Sequence, residues 1–307
     1  MPACPPRPRR EPPLARARRG SFAGPARPPV PRPVSTSLQE YARGVGGGLL
    51  FSLPLFYTME TWAIGMTASP ARLAAIVAGT FGLLVGYNQF AGITSAHGLR
   101  DALLESVEEM GLGLCVAAGL LALLGRFPDA LTADALGVLT LEGMVAAVGV
   151  SVGTAQLGQT PEGESGGASG GDGPPEPRSL GGEIAVALCG AVLIACNVAP
   201  TEEVVLLGAE MGAGRLAGLA ALSLAVGGGL LYVSAFRGAR RFAGSAMGPV
   251  GGTVMTYAVA LAASLALLAA FGRLDLTSAM GVLGPLVVLA FPAMLGASAG
   301  RLLLGQS

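Results

Sequence analysis

The chain has no lysine: all 19 basic residues are arginine, which reflects a GC-rich genome and excludes nothing. Other absences exclude more. Charged residues of both signs fill only 12% of the 307 positions, where a soluble domain carries about twice that share, so a water-soluble globular class is ruled out. The single histidine, His97, excludes a multi-histidine zinc centre. It also leaves no serine with a histidine partner at membrane depth. The four cysteines, Cys4, Cys115, Cys189 and Cys196, follow no metal or redox spacing. Cys189 and Cys196 share a helix face and read as small buried apolar residues. No phosphate-cradling loop or nucleic-acid motif occurs, and Phe22 is the lone aromatic in the arginine-rich stretch. The sequence thus calls for no cofactor and no nucleic-acid partner.

What is present is apolar. Hydrophobic residues make up 52% of the chain and the mean hydropathy is +0.62. A membrane pass needs about 20 mostly apolar residues, and eight stretches meet that: 44–66, 72–93, 103–125, 136–157, 182–207, 215–236, 248–271 and 281–304. The fold class is therefore an all-α polytopic membrane protein whose first partner is the lipid bilayer. Residues 1–36 form an Arg/Pro-rich tail that builds no core. Ser37-Leu-Gln-Glu40 is a capping box that opens the first ordered helix. Residues 158–180, rich in Gly, Pro and acid, read as a flexible linker between 37–157 and 181–307. Arginine sits mainly on one side. With eight passes, Arg43, Arg100, Arg178, Arg237, Arg240, Arg241, Arg301 and the tail face the cytoplasm, while Arg72, Arg126, Arg215 and Arg273 face out. Both termini are then cytoplasmic.

The two segments align with each other. Gly47–Glu60 falls on Gly190–Glu203 at an offset of 143, as does Arg72-Leu-Ala74 on Arg215-Leu-Ala217. At an offset of 147, Gly125-Arg126 falls on Gly272-Arg273, and Gly149-x-Ser-x-Gly153 on Gly296-x-Ser-x-Gly300. Four passes per copy leave both copies in the same orientation. They form two parallel four-helix repeats related by a near two-fold axis along the membrane normal.

Carboxyl groups inside apolar runs demand a reason. In the eight-pass topology Glu60 and Glu203 lie at matching depths, Glu142 reaches a similar level, and Glu202 adjoins Glu203. No arginine lies within these passes, so each carboxyl must hold a proton or share its charge with a cation. Pro54 and Pro200 kink their helices and free the carbonyls of Leu50 and Cys196. Beside Asn197 and Thr201 such carbonyls are ligands for a hard cation. At the inner end of the third pass Glu108 and Glu109, with Asn88 and Gln89 of the second, outline a vestibule. The alternative is a set of protonated glutamates that merely bond neighbouring helices. Glu202-Glu203 is similar to the paired glutamates of intramembrane CAAX-protease-like enzymes, but the arginine and histidines that accompany that pair are missing.

The segments Arg43–Trp62 and Asn197–Glu203 resemble a family of uncharacterised bacterial integral membrane proteins, over roughly Ser37 to Leu304. The resemblance implies a multi-pass protein of the bacterial inner membrane and supplies no activity. The residues favour a transporter or channel for a proton or a monovalent or divalent cation, able to form a homo-oligomer. A non-transporting scaffold is the alternative, and a lipid-acting enzyme comes third.

Overall fold

The structure is a computed structural model, and it describes residues 34–91, 98–126, 132–157, 180–237 and 248–303. Most of the tail, His97 and nearly all of the linker lie outside these residues. Among the described residues every regular element is a helix: α1 (Val34–Phe56), α2 (Met59–Thr67), α3 (Pro70–Ala91), α4 (Leu99–Leu123), α5 (Ala133–Leu157), α6 (Leu180–Ala195), α7 (Glu202–Glu210), α8 (Ala213–Arg237), α9 (Gly248–Phe271) and α10 (Ala279–Leu303). Six of them, α3, α4, α5, α8, α9 and α10, are long and apolar enough to cross a bilayer.

Three expectations need correction. The capping box does not open the first helix, because α1 already runs at Val34, three residues before Ser37. The stretches 44–66 and 182–207 are not single helices. Each breaks in two, and the break is more than the expected kink. Pro54 sits in the last turn of α1, which ends two residues later; Pro200 lies in the six-residue connection between α6 and α7. Thr58 and Thr201 then take extended backbone angles and begin α2 and α7. Neither threonine caps its helix. Each hydroxyl instead donates upstream, Thr58 to the Pro54 carbonyl at 2.7 Å and Thr201 to that of Val198 at 2.8 Å.

α4 and α9 also stop alike. Gly125 (φ 66°) and Gly272 (φ 68°) take the left-handed conformation open to a residue without a Cβ. The following arginine N–H reaches five residues back, from Arg126 to Leu121 and from Arg273 to Leu268, at 2.8 Å in both. This 6→1 bond marks a Schellman stop. It turns each arginine sideways: Arg126 lies over the Trp62 ring at 4.5 Å, and Arg273 meets the α6–α7 connection.

α5 is the centre of the first half, packed by α1, α2, α3 and α4; α10 is packed likewise by α6, α7, α8 and α9. Glycine sets both seams. A Cβ on Gly47 would strike the backbone of Gly149 and Gly153, and one on Gly190 that of Gly296 and Gly300. Further along, Gly65 abuts Val138 and Gly137, and Gly208 abuts Pro285 and Gly284. The register shows α2 continuing along α5 in the direction of α1, and α7 along α10 in the direction of α6. Lipid is as apolar as a protein core, so close backbone approach rather than hydrophobic transfer holds such helices together.

Between the halves, α3 packs on α6 and touches α9, with smaller contributions from α5 and α1. Leu84, Tyr87, Val148 and Val152 meet Val186, Cys189 and Leu193 there. No packing of α8 on α1 or α4 of comparable extent occurs among the described residues.

Candidate functional site

Glu142 is the deepest carboxyl group. It is 0% exposed on α5, and both of its oxygens are buried without a hydrogen-bond partner. Gly65 of α2 touches α5 at Val138. One turn on in these antiparallel helices, Thr61 and Glu142 share a level, and Thr61 is also fully buried with an unpartnered hydroxyl. Glu142 thus lies level with the first turn of α2, beside the break. Cys196, the first residue after α6, packs in one buried cluster with Leu141, the neighbour of Glu142. Its neighbour Asn197 donates through Nδ2 to the carbonyls of Leu193 (2.7 Å) and of Phe51 in α1 (3.2 Å), tying the two halves together. The Asn197 Oδ1 is buried and has no partner. Around the two breaks, therefore, four oxygens on Glu142, Thr61 and Asn197 are out of water and unbonded.

An ionised carboxylate in that position would cost several kcal/mol. A proton or a cation relieves the cost. At the offsets of 147 from Glu142 and 143 from Thr61 stand Leu289 and Val204, both buried and apolar.

The other acids expected here are placed differently. Glu60 is half-buried, and Glu202 and Glu203 are exposed. All three occupy the first turn of α2 or α7, where the helix dipole suits a carboxylate. The expectation that none has an arginine nearby fails for Glu202, because Arg273 lies 3.8 Å away. With the Glu202 side chain 70% exposed this pair adds little. Arg273 Nε also donates to the Pro200 carbonyl at 2.8 Å, and so occupies an oxygen the broken helix would otherwise present. Thr201 is half-buried beside it. Two apolar cavities, one along α3 and α6 and one of about 60 Å³ lined by Thr80, Leu141 and Cys196, include neither Glu60 nor Glu203 in their walls. Among the described residues no three His, Cys, Asp or Glu side chains gather as a metal would need.

The expected inner group comes together in part. Asn88, 7% exposed, donates to Glu109 at 2.9 Å and to Ser106 at 3.2 Å, and accepts a long bond from Ser151. Glu108 is exposed and accepts from the Tyr41 hydroxyl; Gln89 is exposed. The polar network is a knot joining α3, α4 and α5, and no cavity described opens on it.

Sequence reasoning missed Thr61, whose one signal is its place a turn before Gly65. It also missed a buried ion pair. Arg301 of α10 donates to Glu183 of α6 at 3.0 Å, and to the Gly252 carbonyl (3.0 Å) and the Thr256 hydroxyl (2.7 Å) of α9. The two side chains are 7% and 15% exposed. A single arginine near a helix end reads as an interfacial anchor, so nothing local in the sequence announces this clamp.

A bundle that is all-helical among the described residues, with six helices long and apolar enough to cross a bilayer, is a polytopic α-helical integral membrane protein. The chain belongs to DUF2391, a family of integral membrane proteins of unknown function, which it matches over residues 40–304. No curated protein and no solved structure matches it.

Proposed function

We propose that this protein moves a proton or a small cation across the bacterial inner membrane, with Glu142 as the group that binds it. The protein crosses eight times as two parallel four-helix repeats, both termini cytoplasmic, and each repeat begins with a broken helix. What supports the passes is the run of α1–α2 along α5 and of α6–α7 along α10. What supports the repeats is the recurrence of the same glycine seams, the same threonine starts and the same Schellman stops at the offsets of 143 and 147.

One observation carries the function: a fully buried carboxyl group without a partner, on the helix that α1 and α2 both pack against. Broken helices place bare backbone groups and dipole ends at membrane depth, where they serve transported ions. Thr61 and Asn197 supply further oxygens to the same place. Glu60, Glu202 and Glu203 are assigned to the entrance on the outer side, where they draw cations in.

The test is flux in proteoliposomes across a panel of monovalent and divalent cations and imposed pH gradients. Glu142→Gln keeps the shape and removes the charge. Flux of one cation or of protons is expected in the parent protein and is lost in the variant, while folded protein is recovered in equal yield. Transport at the parent rate by Glu142→Gln, or no flux of any ion by the parent, returns the protein to the scaffold reading.

A further inference from the structure

The two halves are joined by unlike faces. Leu83 and Gly86 of α3 line one cavity with Ala185 and Leu188 of α6, and in the same seam Tyr87 and Leu193 are 1% and 3% exposed. In the repeat reading, which this inference rests on, α3 corresponds to α8 and α6 to α1. The α3 type of face is thus used in the first half and the α6 type in the second. A two-fold relation would make α8 pack on α1 within the same chain. It does not do so to a comparable extent, so the rotation between the halves is not two-fold.

The unused counterparts are open. Leu50, which matches Leu193, is 67% exposed; Leu230, which matches Tyr87, is 39% exposed. Ala42 and Gly46 of α1, matching Ala185 and Cys189, are exposed, as is Gly229 of α8, matching Gly86. Apolar exposure means little in a protein surrounded by lipid. The point is that each open face is the counterpart of one that is covered by a known mate, and the mate of each is on the other end of the same chain. An interface between unlike faces propagates until a rotation closes it into a ring. Parallel repeats confine that rotation to the membrane plane.

We infer that a second copy of this chain covers these faces, α8 of one protomer packing on α1 of its partner as α3 packs on α6, so that two chains close a ring of four repeats.

The experiment uses the full chain in native membranes with Cys4 and Cys115 replaced by alanine. Ala42→Cys with Gly229→Cys, the counterparts of Ala185 and Gly86, is treated with a short bis-maleimide. Val107→Cys with Val254→Cys, at one level on exposed faces of α4 and α9 outside the proposed interface, is treated alike. The expected result is a covalent dimer from the first pair, none from the second, and a native mass of two chains after extraction. A one-chain mass without cross-links, leaving the faces to lipid, overturns the inference, as does a dimer cross-linked through the second pair only. Failure of the repeat reading is seen separately, in an electron cryomicroscopy structure whose halves do not superpose helix for helix, whatever the number of chains.

Discussion

Removing one member of the Arg301–Glu183 pair should damage this protein far more than removing both. In Arg301→Met the stem of the side chain is kept and the guanidinium is lost. Thr256 still donates to the Gly252 carbonyl at 2.7 Å, so neither α9 group is stranded. Glu183, whose side chain is only 15% exposed, loses the bond from Arg301. Breaking a buried ion pair from one side typically costs 3–5 kcal/mol; with that residual exposure the lower end, about 3 kcal/mol, is expected here. Glu183→Gln combined with Arg301→Met removes both charges and should fall within about 1 kcal/mol of the parent, because a buried pair gains little over neutral groups of like volume. Denaturant unfolding in mixed micelles measures this. With Cys4 and Cys115 replaced by alanine, reaction of a thiol dye with Cys189 and Cys196, both buried, reports the exposed core. A single variant that loses less than about 1 kcal/mol, or a double-mutant cycle with coupling below about 0.5 kcal/mol, would refute the reasoning.

Glycine substitutions should split by seam. Gly190→Ala drives a Cβ into the backbone of α10 and is expected to cost about 1–3 kcal/mol or more by overpacking, whereas Gly82→Ala meets open space and should gain about 0.5–1 kcal/mol; the same unfolding assay ranks them. Glu142→Leu should leave stability unchanged or higher by about 1–3 kcal/mol, since no hydrogen bond is lost and a desolvated polar group is removed; a destabilised Leu variant would point to a partner for the carboxyl. Asp275, in the loop before α10, is held below the usual carboxylate range by the Thr277 hydroxyl and N–H. Its folded value lies under the unfolded one, so its contribution is present above the unfolded value and disappears as the pH falls through the folded value. Asp275→Asn should abolish that part of the acid titration seen by thermal melts.

Much was legible in the sequence because it is written in local chemistry. Apolar length alone set the helical class and the approximate limits of α3, α4, α5, α8, α9 and α10. The pairing of Gly125-Arg126 with Gly272-Arg273 was visible as letters, and it proved to be the same left-handed stop twice. Proline and threonine before Glu202 announced a disturbance. Whether it was a kink or a break depended on Thr58 and Thr201 taking extended angles, which their partners in space decide. The site itself was half legible: Glu142 and Asn197 were marked out together with Glu60, Glu202 and Glu203, and sequence had no means of ranking them. In a soluble helix the buried face differs from the wet one in polarity. In a membrane helix the face toward lipid and the face toward protein are both apolar, so hydropathy has no period that tells inside from outside. Only the tertiary structure turned Glu142 inward and Glu203 outward. It alone brought Arg301 to Glu183 across 118 residues, because a long-range ion pair between two helix ends leaves no trace in either segment.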